Sequence, residues 1–259
     1  MIVDVDSPLK LSDTWAAGDT DVTDIIADSL QPGRRTTIPE GTWLISHDEL
    51  VLPDNSELHL SAGAKLLVKA TDAGGYAAVS LADATNAHVT GLGEIDGGRD
   101  SHIGTEGEWG HCVDVRDSDK CSVRGITVSN AWGDGVYIGG DDGASTETLV
   151  ESVRAVGNRR QGMSVVWSDG LIVRGFNATG TAGTPPAAGI DVEPNIGGSV
   201  TNTRMSNLRL NENDYGLQVV PANGTITDLI VDGFEANSNA YRGIAFQGAV
   251  GWDVEVKNG

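Results

Sequence analysis

The sequence predicts an all-β fold, a right-handed parallel β-helix in which short strands wind about one axis and stack coil upon coil. The strongest observation is a four-residue pattern, glycine, apolar, any, apolar, which recurs five times at a constant spacing of 27 residues. Abundant glycine (35 residues) and few aromatics (5%) fit a chain with many tight turns. A repeat this short without a helix cannot bury its apolar face alone, whereas stacked coils bury it together. The glycines of the pattern are Gly135, Gly162, Gly189, Gly216 and Gly243.

Each repeat also carries a second apolar segment, bounded by Gly, Asn or Asp residues that form turns. Residues 171–173 and 229–231 are examples, while residues 112–115 and 78–81 resemble two earlier rungs separated by a longer excursion at 98–110. Successive side chains of a strand point to opposite faces. The apolar members of the repeat are therefore predicted to fill the bore, and the residue between them is predicted to point outward.

The beginning of the chain departs from the repeat. Val22, Ile25, Ile26 and Leu30 follow helical spacing over residues 20–30. We predict a short amphipathic helix that covers the open end of the stack, where exposed strand edges would otherwise pair with other chains.

The predicted domain organisation is an N-terminal arm and capping helix over residues 1–34, followed by a β-helix over residues 35–259. No matching cap is visible at the other end, where residues 254–259 are still strand-like. The last coil is therefore expected to dock on another chain, to continue in further material, or to self-associate.

The charge of the chain excludes one class of partner. The net charge is −20, from 25 Asp, 12 Glu, 5 Lys and 12 Arg. Nonspecific binding to nucleic acid is not expected, because phosphates would be repelled. An Asp-rich, Lys-poor surface is typical of proteins from extreme halophiles, in which carboxylates hold water at high salt. An ordinary acidic protein is the alternative.

The sequence predicts neither membrane insertion nor a cofactor. No stretch approaches 18 apolar residues, and the N-terminus lacks the basic and apolar regions of a signal peptide. We expect the chain to stay in the cell, to leave it without a classical signal, or to be carried on a particle such as a virion. Cys112 and Cys121 form no CxxC pair, so zinc is not expected. No motif indicates another metal, and calcium is left open.

Three stretches resemble the pectin-lyase-like superfamily of right-handed β-helices. Residues 38–43 (IPEGTW) are similar to the start of its first coil, and residues 91–98 (GLGEIDGG) to its G-x-G-x-I-D-G turn. Residues 160–162 and 189–195 look like coils of virus tail spikes and polysaccharide-active enzymes. The resemblance covers residues 35–259. It implies the fold and leaves activity open, because such folds host lyases, hydrolases, epimerases and noncatalytic binders.

The outward residues of one strand column are predicted to form a flat face, with rungs about 4.8 Å apart. Planar rings for stacking and polar groups for hydroxyls are what a sugar-binding surface needs. The predicted glycan-binding residues are Trp109, His111, Asp114, Trp132, Asp134, Tyr137, Arg160, Gln161, Tyr215 and Gln218.

Asp191 and Glu193 are the best candidates for a catalytic pair. They are two residues apart on one predicted strand, so both point outward. Two carboxyls within roughly 5–9 Å can act as acid and base or nucleophile in glycoside cleavage. The alternative is two solvated carboxylates on an acidic surface. Asp141 and Asp142 resemble the paired aspartates of polygalacturonases, but the other motifs of that family, and the signature of alginate epimerases, are absent.

Two functions follow from this reading. The first is a virion component, such as a tail spike, fibre or head-decorating protein, that contacts host-surface glycans. Its expected partners are a cell-surface polysaccharide or glycoprotein glycan, other virion proteins and further copies of this chain, with a homotrimer favoured. The second is a free polysaccharide lyase, glycosidase or epimerase. Loss of activity in Asp191→Asn or Glu193→Gln without loss of folding would distinguish the enzyme.

Overall fold

The computed structural model describes residues 3–4, 17–48, 50–221, 224–248 and 252–258. Within these ranges, one α-helix and one 3₁₀ turn (Arg99–Ser101) accompany 27 strands. The first elements are β1 Val3–Asp4, β2 Ala17–Asp21, α1 Thr23–Ser29, β3 Arg34–Ile38, β4 Gly41–Ile45, β5 Glu57–Leu60, β6 Ala64–Val68, β7 Gly75–Ser80, β8 His88–Gly91 and β9 Glu94–Asp96. Next come β10 Trp109–Arg116, β11 Ser122–Arg124, β12 Thr127–Ser129, β13 Asp134–Gly139, β14 Ser145–Thr146, β15 Leu149–Glu151, β16 Arg154–Val156, β17 Gln161–Val165 and β18 Ser168–Asp169. The last are β19 Ile172–Arg174, β20 Asn177–Thr179, β21 Ala188–Val192, β22 Ser199–Thr201, β23 Arg204–Asn211, β24 Tyr215–Val219, β25 Thr225–Glu235, β26 Arg242–Phe246 and β27 Trp252–Lys257.

These strands form a parallel β-helix of about eight turns with about 27 residues per coil. Seven of them make one sheet in the order β26-β24-β21-β17-β13-β10-β7, and twenty make the sheet that forms the rest of the wall. Val136, Met163, Ile190, Leu217 and Ile244 follow one another as parallel partners. The predicted fold and the predicted 27-residue register are therefore confirmed.

The two irregular rungs predicted before Gly135 are confirmed as well. Val79 pairs with Val113, and Val113 pairs with Val136, all in parallel register. The coils that join these rungs differ in length, and the longer one contains the excursion at residues 98–110. Irregular coil length is therefore absorbed by the connecting segments, and the sheet stays continuous.

The glycine column exists because neighbouring coils approach too closely for a side chain. A Cβ atom on Gly162 would lie 2.4 Å from the carbonyl oxygen of Gly189, and one on Gly216 would lie 2.3 Å from that of Gly243. Neither glycine has a positive φ. The requirement is therefore one of space, and it recurs wherever the same corner of the coil stacks on the next.

The bore is filled by one continuous apolar cluster. Val136, Met163, Ile190 and Leu217 are all buried, as the alternation in sequence predicts. Burying each such side chain contributes about 1.5–3 kcal/mol. Cys112 and Cys121 are buried free thiols on this stack.

Helix α1 packs on the first coils of the stack. It spans Thr23–Ser29, shorter than the predicted 20–30, and Asp21 Oδ1 accepts a hydrogen bond from the N–H of Thr23 at its start (3.0 Å). Val22 and Ile26 are buried in the core cluster, whereas Ile25 is exposed. Strand β2, before the helix, already pairs in parallel with β4.

Parts of the predicted terminal segments lie outside the described residues. In the N-terminal arm these are residues 1–2 and 5–16, and at the other end they are residues 249–251 and 259. In the described part of the chain, no helix has both the length and the apolar character that crossing a bilayer requires.

Candidate functional site

The outward face of the seven-stranded sheet carries most of the predicted site residues. One outward residue from each strand stacks directly on the next, which we call the outward column. Parallel register places Asp114 beside Tyr137, Tyr137 beside Ser164, and Ser164 beside Asp191. Gln218 follows Asp191. The face divides along the axis into an N-terminal groove, a central polar network and a C-terminal groove.

The N-terminal groove has a volume of about 630 Å³. Trp109 forms part of its wall and is 56% exposed. His111 stacks on Tyr137 with 4.8 Å between ring centroids, and the Arg116 guanidinium lies 5.0 Å from the same ring. The groove therefore combines a free indole face with an internally supported tyrosine.

Asp114 lies in this groove and is 8% exposed. Its Oδ2 lies 3.3 Å from Nη2 of Arg116, whose Nη1 donates a hydrogen bond to Asp141 Oδ2 (3.0 Å). Burial raises the pKa of Asp114 to about 6, against the lowering effect of Arg116. Among the described residues, Oδ1 of Asp114 has no hydrogen-bond partner although the atom is buried.

The loop that carries Asp141 is held by a single carboxylate. Asp117 accepts hydrogen bonds from the backbone N–H groups of Asp141, Asp142 and Gly143, at 2.9, 3.2 and 2.8 Å. These three bonds lower the pKa of Asp117, opposing the effect of its partial burial. The three backbone bonds to Asp117 therefore fix the position of Asp141 beside Arg116.

The first part of the central polar network surrounds Asp134, which is fully buried. Asp134 Oδ2 accepts hydrogen bonds from Ser164 Oγ (2.8 Å) and from Nη1 of Arg160 (3.2 Å), and its own N–H donates to Nδ1 of His111 (3.3 Å). Burial raises the pKa of Asp134 to about 6 and lowers that of His111 to about 3. His111 is therefore neutral at ordinary pH.

The second part of the network encloses Asp191, which is 2% exposed. Gln161 Nε2 donates to its Oδ2 (3.0 Å) and Gln218 Nε2 donates to its Oδ1 (3.3 Å). Gln247 Nε2 in turn donates to Gln218 Oε1 (2.9 Å). Burial, and then the charge of Glu193, raise the pKa of Asp191 to about 7. Both carboxyl oxygens of Asp191 thus have protein donors.

The C-terminal groove has a volume of about 510 Å³. Its aromatic wall is made by Tyr215 and Tyr241, whose ring centroids are 5.4 Å apart, and Tyr241 is 68% exposed. Glu193, just beyond the end of β21, lines the groove together with Pro185 and Pro186. This groove is therefore a second aromatic cleft on the same face.

The structure assembles the predicted residues into these three zones. The N-terminal groove holds Trp109, His111, Asp114 and Tyr137. The central network holds Asp134, Arg160, Gln161 and Asp191. The C-terminal groove holds Glu193, Tyr215 and Gln218. Asp191 points outward as predicted from alternation, but two glutamine side chains cover it.

Trp132 stands apart from the grooves. The His102 ring stacks on it with 3.8 Å between centroids, and the Arg159 guanidinium lies 3.8 Å from the ring centroid. Two groups this near the ring occupy its opposite faces, because both cannot fit on one. Trp132 therefore offers no free face to a sugar.

Sequence reasoning left Arg116 and Tyr241 out of the site. Tyr241 lies 27 residues after Asp214, so the register of the repeat was a signal that could have found it. Asp114 lies two residues before Arg116 on β10, but the contact of Arg116 with Asp141 joins successive coils, and no periodicity marks it. Within the described ranges, no group of three or more His, Cys, Asp or Glu side chains is arranged to hold a metal ion.

Parallel coils around an apolar bore, with a polar outward face, define this chain as a parallel β-helix. No protein-family model matches its sequence, and no curated protein matches it. Its likeness to known proteins is therefore one of structure.

Three solved structures illustrate that likeness. The tailspike protein gp49 of the Acinetobacter baumannii bacteriophage Fri1, a capsular polysaccharide depolymerase, has a TM-score of 0.66 and 16% identity over 92% of this chain and 46% of that chain. The tailspike of the E. coli bacteriophage HK620, in complex with a pentasaccharide, has a TM-score of 0.58 and 17% identity over 93% of this chain and 46% of that chain. The family 28 exopolygalacturonase of Yersinia enterocolitica has a TM-score of 0.52 and 14% identity over 99% of this chain and 65% of that chain.

This chain spans about half the length of the tailspike chains it matches. At such low identities the likeness shows the fold alone. The function has to be argued from the face itself.

Proposed function

We propose that this chain is the glycan-contacting β-helix of a virion surface protein, such as a tail spike, a fibre or a head-decorating protein. The observation that carries the proposal is the outward face of the seven-stranded sheet, where two aromatic clefts lie along one axis. Two of the structures with this fold are bacteriophage tailspikes, one a capsular polysaccharide depolymerase and one in complex with a pentasaccharide. The expected ligand is a cell-surface polysaccharide or a glycoprotein glycan.

The chemistry of the two clefts suits an extended sugar chain. Trp109 and Tyr241 each present a large exposed ring, which is unfavourable in water and favourable against the apolar face of a sugar. Carboxylates and amides beside each ring can accept and donate hydrogen bonds to hydroxyls. A chain of several sugars can contact both clefts at once.

Binding of the purified chain to a panel of cell-surface polysaccharides and oligosaccharides tests the proposal by calorimetry. Trp109→Ala and Tyr241→Ala are each expected to weaken binding about tenfold, equivalent to about 1.4 kcal/mol. Leu92→Ala removes an apolar side chain that is 75% exposed and lies outside both grooves, and it serves as the control. Absence of binding across the panel, or equal affinity in all three variants, would overturn the proposal.

The proposed assembly is a homotrimer that contacts other virion proteins. Light scattering at micromolar concentration is expected to give three times the mass of the chain. A concentration-independent monomer would contradict the oligomer while leaving glycan binding to be judged separately.

A high-salt origin is the remaining part of the proposal. The net charge of −20 supports it, since salt screens the repulsion among surface carboxylates. Glycan binding and folding are both expected to persist at about 2 M KCl, where charge interactions extend only a few ångströms. Precipitation or unfolding at that salt concentration would argue for an ordinary acidic protein.

A second candidate function is cleavage of a polysaccharide by Asp191 and Glu193, as in a lyase, glycoside hydrolase or epimerase. The observation that favours it is the placement of the two carboxyls two residues apart, Asp191 on the outward column and Glu193 lining the C-terminal groove. Burial, and then the charge of Glu193, raise the pKa of Asp191 to about 7. A carboxyl in that range can give or take a proton near neutral pH. The Gln218 side chain would have to move before a substrate could reach Asp191.

Product analysis distinguishes this enzyme from a binding protein. Asp191→Asn and Glu193→Gln are expected to abolish the release of reducing ends or unsaturated sugars while the fold remains intact. Asp214→Asn changes another carboxylate lining the same groove and is the control. A panel of glycans that yields no product with the unaltered chain would leave only the binding function.

A further inference from the structure

We infer that the N-terminal groove is a subsite for a sugar that carries a free amino group, such as an unacetylated amino sugar within the glycan. This inference rests on the proposed function and names the chemistry of one part of the ligand. It is carried by the unpaired buried atoms of two lining residues, by the charge of the groove, and by its exposed indole.

Two residues that line the groove each carry a buried polar atom without a partner, one an acceptor and one a donor. Asp114 Oδ1 is buried and accepts no hydrogen bond from the described residues, although Oδ2 of the same carboxyl contacts Arg116. Nε of Arg116 is likewise buried with no acceptor among them. A buried polar atom without a partner is unfavourable, so a ligand that displaces these side chains slightly and supplies both partners gains binding energy. Adjacent amino and hydroxyl groups on one sugar ring match this pair.

The charge of the groove selects the sign of the ligand. Six aspartates line it and Arg116 is the one basic side chain among the lining residues described, since His111 is neutral. The acidic lining residues are Asp48, Asp83, Asp114, Asp117, Asp141 and Asp142. Arg116 is already shared between Asp114 and Asp141. A protonated amine is therefore attracted, and a uronic acid would be repelled.

The aromatic wall supports the same ligand. The ring of Tyr137 is partly covered, because His111 stacks on it and the Arg116 guanidinium lies near it. Trp109 carries no such partner in the described structure and keeps more than half of its surface exposed. An indole face can stack on the sugar ring and attract the ammonium group beside it.

Calorimetry at pH 6 with three tetrasaccharides tests the inference. The probes are the β-1,4-linked tetramer of glucosamine, its fully N-acetylated counterpart and tetragalacturonate. The glucosamine tetramer is expected to bind at least tenfold more tightly than the acetylated one, and tetragalacturonate is expected to bind more weakly still. Equal affinity for the first two, or a preference for tetragalacturonate, would overturn the inference.

Two variants that each remove one carboxylate charge distinguish binding in the N-terminal groove from general attraction of an amine to an acidic protein. Asp114→Asn is expected to abolish the preference for the amine, whereas Asp28→Asn, an exposed residue of α1, is expected to keep it. If Asp114→Asn folds poorly, Asp142→Asn, which is exposed in the same groove, is expected to reduce the preference about twofold. An unchanged preference in the groove variants would show nonspecific attraction and overturn the site.

The outcome also distinguishes this inference from the proposed function. Binding of the acetylated tetramer with no amine preference would retain a glycan-binding protein and remove the amino-sugar subsite. Binding of hexylamine, lost in Asp114→Asn, with no binding of any oligosaccharide would retain an ammonium site and remove glycan recognition.

Discussion

Asp114 and Asp191 occupy the same position of the repeat, three rungs apart on the outward column, yet their surroundings differ. Both are buried, and burial raises the pKa of each. Asp191 receives hydrogen bonds on both oxygens from Gln161 and Gln218, whereas Asp114 keeps one oxygen unpaired. A solenoid position therefore has no fixed role. The side chains of the adjacent coils decide whether both oxygens of a carboxylate are hydrogen-bonded or one stays unpaired.

The comparison depends on the coils staying in register, and the largest expected effect comes from breaking that register. Gly162→Ala places a Cβ 2.4 Å from the Gly189 carbonyl oxygen and 2.8 Å from Ala178 Cβ, so backbone must move. We expect a loss of about 4 kcal/mol in the free energy of unfolding, measured by urea titration. Gly143→Ala, whose Cβ would meet its nearest neighbour at 3.9 Å, is expected to change stability by about 0.5 kcal/mol at most. Similar losses in both variants would refute the spatial account of the glycine column.

Alanine substitution at the two aspartates tests the comparison directly. Asp191→Ala leaves the buried amides of Gln161 and Gln218 without their acceptors, which we expect to cost about 2–3 kcal/mol. Asp114→Ala leaves Arg116 paired with Asp141 and is expected to cost about 1 kcal/mol or less. Urea midpoints at about pH 4, below the raised pKa values of both carboxyls, measure both changes. A larger loss at Asp114 than at Asp191 would reverse the assignment of the two roles.

The pH dependence of stability is expected to report the buried carboxyls. The pKa values of Asp114 and Asp134 are raised to about 6 and that of Asp191 to about 7, above the unfolded value of about 3.9. The folded chain therefore holds protons that the unfolded chain releases. Their contribution is fully present below about pH 4 and is lost as the pH rises to about 7, by at most about 1.4 kcal/mol per pH unit for each group.

In Asp191→Asn this decline should be shallower, most clearly between about pH 5 and 7. Thermal unfolding measured at half-unit pH steps checks the slope. Asp28→Asn, which alters an exposed carboxylate, should leave the slope as it is in the unaltered chain. A decline as steep in Asp191→Asn as in the unaltered chain would contradict the raised pKa of Asp191.

Salt is expected to have the smallest effect on stability, and it should leave the contribution of Asp191 unchanged. Raising ionic strength from about 0.1 to 1 M shortens the screening length from about 10 to 3 Å, and we expect it to stabilise a chain of net charge −20 by about 1 kcal/mol. The loss caused by Asp191→Ala should stay the same, because the buried glutamine amides do not feel bulk salt. Urea titrations at both salt concentrations measure the two quantities. A loss that shrinks with salt would place Asp191 in contact with solvent.

The regular part of the fold could be predicted from sequence because the same contact repeats at each coil. Gly162 and Gly189 meet the same steric limit, and Met163 and Ile190 fill the same layer of the bore. The periodicity of the sequence therefore predicted the register, the core and the direction of the outward residues. It also gathered most of the candidate site on one face.

The rest of the site depends on segments that do not repeat. Trp132 is covered by His102 from the excursion and by Arg159 from the following turn, and no spacing indicates either contact. The burial of Asp191 results from the length and direction of two glutamine side chains. Helix α1 ends earlier than the apolar spacing suggests, because Leu30 is already extended. Such features are set by tertiary contacts, which a single sequence does not display.

The tolerance of this scaffold to connecting segments of unequal length has a practical side. Val79, Val113 and Val136 remain aligned although the stretches between them differ in size. Segment 98–108 leads directly into Trp109 of the N-terminal groove, and Pro185 and Pro186 line the C-terminal groove. Exposed positions of these connecting segments can therefore be varied while the rungs keep their partners. A display library confined to those positions would vary the surface around both clefts without redesigning the interior.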